Sequence, residues 1–129
     1  MPVAAAMKVL VVDDQRSIRA LVKTSLNDLG CRMIEEAEDG EDAWRRLQLR
    51  PAHLVISDLN MPKLDGLGLL RAVRSSEKFK SIGFIMLTSR GDVDLVKQAV
   101  QLGVNNYLMK PFALGALKSK IEAVFGPLT

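Results

Sequence analysis

Apolar residues along this chain follow two different periods. Short continuous runs occur at Val9-Leu10-Val11-Val12, at Leu54-Val55-Ile56 and at Phe84-Ile85-Met86-Leu87, each bounded by polar residues. Between them, apolar residues recur every third or fourth position. Short runs bounded by turn formers read as buried strands, and three-to-four spacing reads as one face of a helix. Ile18, Leu21, Val22, Leu26 and Leu29 share such a face, with Gly30 as the stop. Asp39-Gly40 opens a second helix carrying Ala43, Trp44 and Leu47, and Asp65-Gly66 opens a third with Leu67, Leu70 and Val73. Val93, Val96 and Val100 mark a fourth, stopped by Gly103, and Leu114, Leu117, Ile121 and Val124 mark a fifth. Strands are expected near residues 8–12, 32–37, 53–57, 83–87 and 105–109.

Strict alternation of five strands with five helices predicts right-handed crossovers and an α/β, doubly wound parallel sheet covered on both faces. The second strand, Arg32-Met33-Ile34-Glu35-Glu36-Ala37, is less apolar than the first, third and fourth. A strand at the sheet edge tolerates that composition. This fits the order 2-1-3-4-5, with the first and third strands adjacent at the switch point, where ligands bind beyond the carboxyl ends of the strands.

Composition narrows the classes without changing this picture. The chain has 129 residues, 48% hydrophobic and 26% charged, which suits one domain with a single core. Residues 1–6 read as a flexible extension, and the last helix runs almost to Thr129. A single cysteine, Cys31, excludes an intrachain disulfide and any Cys-rich metal site. No apolar run approaches the ~20 residues that span a bilayer, and the first residues lack the basic region of a signal peptide. A cytoplasmic protein without membrane contact is expected. The net charge of +3 is spread over scattered residues with no interleaved aromatics, so a nucleic-acid surface is not expected.

The candidate chemistry lies where the apolar runs stop. The first ends at Asp13-Asp14, the third at Asp58, the fourth at Thr88-Ser89 and the last at Lys110-Pro111. In a parallel sheet these strand ends converge. Three crowded carboxylates need a cation or shared protons at neutral pH, and an all-oxygen acidic site suits Mg²⁺. Asp58 then has the chemistry of a nucleophile toward phosphorus. Lys110 would neutralise charge on a transferring phosphoryl group, the Thr88 hydroxyl would bind one of its oxygens, and the small Ser89 would leave it room. Each motif alone has a plainer reading. Asp13-Asp14 or Thr88 could cap a helix, Asp39-Gly40 and Asp65-Gly66 read as turn and cap chemistry, and Trp44, His53 and Cys31 read as structural. It is the recurrence at four strand ends that marks a composite site.

Taken together, Val11-Val12-Asp13-Asp14, Ile56-Ser57-Asp58-Leu59-Asn60-Met61-Pro62, Asp65-Gly66, Leu87-Thr88-Ser89 and Lys110-Pro111-Phe112 resemble the receiver domain of two-component response regulators. The resemblance covers roughly residues 7 to 126 and is strongest to the single-domain chemotaxis members. It implies a flavodoxin-like (βα)5 fold and a phosphoacceptor at Asp58. It further implies Mg²⁺ bound directly by Asp14 and Asp58, through water by Asp13, and by the main-chain carbonyl of Asn60. Lys110 would pair with the phosphoryl group through a loop whose Lys110–Pro111 bond is usually cis, and Thr88 with Tyr107 would form a switch pair. The implied partners are a histidine kinase as phosphodonor, a flagellar switch or other protein target, and a phosphatase. The implied output surface lies on the fourth helix, fifth strand and fifth helix. Three departures from the chemotaxis members stand at Gln15, Leu59 and Arg90, where those proteins carry an aromatic residue, a tryptophan and an acidic residue.

Two other readings use the same residues. A haloacid-dehalogenase-like phosphatase also combines an Asp nucleophile, Mg²⁺, a Thr or Ser and a Lys. It wants a second Asp two positions after the nucleophile, where this chain has Asn60. A stand-alone receiver acting as a phosphate sink, or as a second-messenger-binding module, is the alternative among binding proteins.

Overall fold

The computed structural model describes residues 3–129. Five strands, β1 (Lys8–Val12), β2 (Met33–Ala37), β3 (Leu54–Asp58), β4 (Gly83–Thr88) and β5 (Asn106–Met109), alternate with α1 (Arg16–Asp28), α2 (Gly40–Leu49), α3 (Gly66–Ser75), α4 (Val93–Gln101) and α5 (Leu114–Phe125). All neighbouring strands pair in parallel, in the order β2-β1-β3-β4-β5. β2 and β5 are the edges. β1, β3 and β4 are buried almost throughout, whereas β2 is mostly half-buried.

Side chains alternate across a strand, so each apolar run feeds both faces of the sheet. Leu10, Val12, Val55, Phe84 and Met86 pack under α2, α3 and α4 against Ala43, Leu47, Leu70, Val73 and Ala99. Val9, Val11, Ile56, Ile85 and Leu87 pack on the other side under α1 and α5 against Val22, Leu26, Leu117 and Ile121. Asp39 and Asp65 cap α2 and α3, accepting from the backbone N–H groups of Asp42 and Gly68 at 2.8 Å each. Trp44 stands edge-on to Phe79, with ring centroids 5.6 Å apart. His53 accepts the Lys8 backbone N–H through Nδ1 at 2.9 Å, at the amino-terminal end of the sheet. Cys31 is fully buried.

Three sequence expectations need correction. The expected α1 face included Leu21, which is 48% exposed, whereas Val22 and Leu26 are buried and Ile18 and Leu29 pack beside them. The Val93/Val96/Val100 stripe of α4 faces outward. Val93 and Val100 are exposed, and the helix is seated by buried Ala99 with half-buried Leu95 and Leu102. The amino-terminal extension expected to be flexible is packed over Ala4–Ala6. These residues form a 3-10 turn, Ala4 is buried, and its N–H donates to the Thr129 carbonyl at 3.1 Å. Residues 1 and 2 of that extension lie outside the described residues.

Candidate phosphoryl-acceptor site

Strand register assembles the site. Val12 lies opposite Ser57, Asp58 opposite Leu87, and Thr88 opposite Met109. Asp13 and Asp58 therefore share one row, Thr88 stands one residue and Lys110 two residues beyond it, and all four lie at the carboxyl edge of the sheet. Asp13 is held there by its own N–H, which donates to Ala37 O at 3.1 Å, and Lys110 by its N–H to Thr88 O at 2.8 Å. Carboxylate oxygens of Asp13, Asp14 and Asp58 lie within 4.8 Å of one another. Asp13 and Asp58 are buried and Asp14 is exposed, so the cluster is open to solvent on one side only.

Lys110 reaches across the row. Its ammonium stands 3.1 Å from Asp58 Oδ1 and 3.5 Å from Asp13 Oδ2. One cation faces three carboxylates, so negative charge is in excess. Burial pushes the Asp58 carboxyl above its ordinary range, and Asp14 adds to the rise, although Lys110 and the Leu59 N–H oppose it. Asp13 is raised chiefly by burial and also by Asp58, against the Gln15 N–H that it accepts at 2.9 Å. Burial works against the Lys110 charge, but the two carboxylates prevail and its pKa rises.

Asp13 Oδ2 is the one buried side-chain polar atom without a hydrogen bond among the described residues. A buried carboxylate oxygen left without a donor is costly. An orphan oxygen beside two further carboxylates is what a hard divalent cation satisfies, and Mg²⁺ takes such oxygens while keeping waters. The donor set therefore fits the metal expected from the sequence.

The loop after β3 is fixed by close packing. Gly66 N–H donates to Leu59 O at 3.0 Å. A Cβ on Gly66 would overlap the Asp58 carbonyl oxygen and stand 2.8 Å from Met86 Sδ. Only glycine lets α3 start this close to the Asp58 backbone. The Ser57 hydroxyl, fully buried, donates to the same carbonyl at 2.9 Å. Asn60 is exposed beside the cluster, and Lys110–Pro111 is cis, as expected. Thr88 is buried at the end of β4 and does not cap α4, whose N-cap is Asp92. Tyr107 is not gathered into the pocket. The residue is 44% exposed on β5, with the Lys120 ammonium 5.5 Å from its ring centroid.

Two residues of this site were not singled out from the sequence. Arg19 donates Nη1 to Asp13 O at 2.6 Å and Nε to Glu36 Oε1 at 3.1 Å, tying the loop that carries the acidic pair to β2. Asp92 accepts from Ser89 N at 2.7 Å and from Asn60 Nδ2 at 3.5 Å, linking the ends of β3 and β4. Helical spacing marks Arg19 only as a polar position, and no local signal marks either residue.

Comparison with known proteins agrees with this geometry. Residues 9–122 match the family described as the response regulator receiver domain. The chain is 50% identical over 128 residues to a protein of Rhizobium etli named probable chemotaxis protein CheY, covering 99% of each. It is 41% identical to the chemotaxis protein CheY of Pseudomonas aeruginosa, covering 92% of this chain and 96% of that one. The structure of chemotaxis response regulator CheY4 of Vibrio cholerae superposes with a TM-score of 0.83 at 34% identity, over 92% of this chain and 98% of that one. A response regulator structure from Chloroflexus aurantiacus gives 0.87 at 27% identity, over 96% and 98%. With its acidic triad, its lysine and its 2-1-3-4-5 sheet in the expected places, this chain belongs to the receiver domains of phosphoryl-accepting response regulators.

Proposed function

We propose that Asp58 takes a phosphoryl group from the phosphohistidine of a histidine kinase, and that the protein so modified signals to a motility target in the cytoplasm. The observation that carries the assignment is the placement of Asp58: buried, at the end of the central strand, 3.1 Å from Lys110, and in one cluster with Asp13 and Asp14. Of the three carboxylates, it alone ends the central strand, β3, between the ends of β1 and β4. Its Oδ attacks phosphorus as the P–N bond to the donor imidazole breaks. The O–P bond of an acyl phosphate forms, and the imidazole leaves as it takes up a proton. Hydrolysis by water then returns the carboxylate and inorganic phosphate.

Mg²⁺ held by Asp13, Asp14, Asp58 and the Asn60 main-chain carbonyl would supply charge neutralisation on the phosphoryl oxygens. Lys110 neutralises a further oxygen from the opposite side. The Thr88 hydroxyl, one strand over, would follow the phosphoryl group, and Tyr107 would follow Thr88. The reading as a chemotaxis regulator rests on the chemotaxis proteins that the chain matches over nearly its whole length. A flagellar switch component is the target that this reading implies, with a phosphatase as a further partner.

Acetyl phosphate with Mg²⁺ tests the assignment without the kinase. One base-labile phosphoryl group is expected per chain, seen as an ~80 Da mass increase (the mass of PO₃H added in this chemistry). It should fail to form when the metal is chelated beforehand and in Asp58→Ala. Full labelling of Asp58→Ala would refute it. Repeated turnover of a phosphate ester would instead favour the phosphatase reading.

A further inference from the structure

We propose that the groove between α1 and α2, lying over the free edge of β2, docks an extended acidic segment of a protein partner. This surface is separate from the acidic pocket, and its recognition does not depend on phosphorylation at Asp58.

The groove has a volume of about 790 Å³ and is lined by five cations and three carboxylates. Arg16, Arg19 and Lys23 come from α1, and Arg45 and Arg46 from α2. Two of the three carboxylates are each shared by two cations. Glu36 is shared by Arg19 and Lys23, both at 3.1 Å, and Asp42 by Arg45 and Arg46. Arg16 has no carboxylate partner among the described residues. The groove thus keeps a net charge of +2 (five minus three) on a protein whose total is +3. A partner carboxylate would find arginines already in position and only half neutralised. Planar guanidinium groups suit that bidentate pairing.

The backbone adds a second determinant. β2 pairs with β1 on one side only. Its outer edge offers N–H and C=O groups to an added strand, the mode by which extended peptides join exposed sheets. The cations flank that edge from both helices, so a strand carrying acidic side chains meets hydrogen bonds along its main chain and arginines on either side. No aromatic ring lines the groove, so bases have nothing to stack on.

The test uses the full chain, metal-free and unphosphorylated, with ¹⁵N labelling. The probe is a blocked eight-residue peptide alternating Glu and Thr, and the control is its Lys and Thr counterpart. At low salt the Glu peptide should shift amides of residues 16–24, 33–38 and 42–46, with affinity falling as salt is added. Arg16→Glu combined with Arg45→Glu should weaken binding roughly tenfold or more. Both side chains are exposed and neither belongs to the acidic pocket, so melting temperature and Mg²⁺ binding should stay as in the parent. Equal binding of the Lys peptide would overturn the proposal. So would tighter binding of a single-stranded oligonucleotide of equal charge, shifts confined to residues 93–112, or no shift at all.

Discussion

Asp13 Oδ2 is the one buried side-chain polar atom left without a hydrogen bond among the described residues, which bears on stability. Its carboxyl and that of Asp58 are raised above their unfolded values by burial. A group whose folded pKa is raised stabilises the fold below its unfolded value, near 3.9, and that contribution is lost as pH rises through the folded value. At neutral pH the metal-free protein therefore carries an electrostatic penalty at this pocket. Asp13→Asn keeps the Gln15 N–H acceptor and removes one charge. It should stabilise the metal-free protein at pH 7 by about 1–3 kcal/mol and flatten the loss of stability between about pH 4 and neutrality. In the parent, Mg²⁺ at a hundred times its dissociation constant should add about 2.7 kcal/mol. The variant should lose most of that gain. Thermal melts across pH, with and without the metal, measure both effects. An Mg²⁺-dependent gain of the same size in Asp13→Asn would remove Asp13 from the site.

Helix α3 is fastened at both ends, by different means. At its start, Gly66 admits the close approach to Asp58. At its end, Arg74 serves four acceptors with no carboxylate among them: Gly103 O at 2.8 Å, Lys80 O at 3.1 Å, Ile82 O at 2.7 Å and Asn105 Oδ1 at 2.8 Å. Asn105 Oδ1 also accepts the Phe84 N–H at 2.7 Å. This one guanidinium joins α3, the entry to β4 and the turn between α4 and β5. Burial lowers its pKa, yet the carbonyls keep it charged and satisfied. Arg74→Met retains the aliphatic stem and deletes the donors. It should cost about 2–4 kcal/mol, since hydrogen bonds to charged groups contribute about 1.5–3 each but are not additive. Urea unfolding should show a lower midpoint with an unchanged slope. A midpoint equal to the parent's would mean that water replaces the cage at no loss.

At the scale of the whole molecule, the pocket and the outward surface meet at the end of β4 and along β5. Thr88 is buried at the pocket, Tyr107 is exposed one strand over, and α4 presents Val93 and Val100 to solvent beside them, with Met109 also exposed. Monomeric proteins seldom expose adjoining apolar side chains without use for them. A phosphoryl group that draws Thr88 toward Asp58 would free space for Tyr107 to turn inward. The population shift is bounded by the difference in phosphoryl contacts between the two packings, and a change from 1:99 to 99:1 needs about 5.5 kcal/mol. Beryllofluoride with Mg²⁺ should therefore move amide resonances of residues 88–112 as well as those near Asp58. Changes confined to the acidic pocket would show that this chain does not switch in the proposed way.

The sequence alone determined the elements and the address of the site. Strand runs, helical spacing, Asp-Gly caps and the polar residue closing each run are local signals, and a parallel sheet turns strand ends into neighbours without further information. The less apolar β2 gave away its edge position in the same manner, and that position fits the 2-1-3-4-5 order that the family resemblance implies. Tertiary structure decided whatever depends on how one element sits on another. The outward turn of Val93 and Val100 was not legible, because two faces of α4 are comparably apolar and only docking on the sheet selects Ala99 with Leu95 and Leu102. Neither was the burial of Ala4, which requires the carboxyl terminus to come alongside at Thr129. Arg19 between the Asp13 carbonyl and Glu36, Asp92 between Asn60 and Ser89, and Arg74 on its four acceptors join different elements through side chains whose direction no periodicity encodes. Local pattern fixes what each segment becomes, and long-range packing alone fixes which atoms of different segments touch.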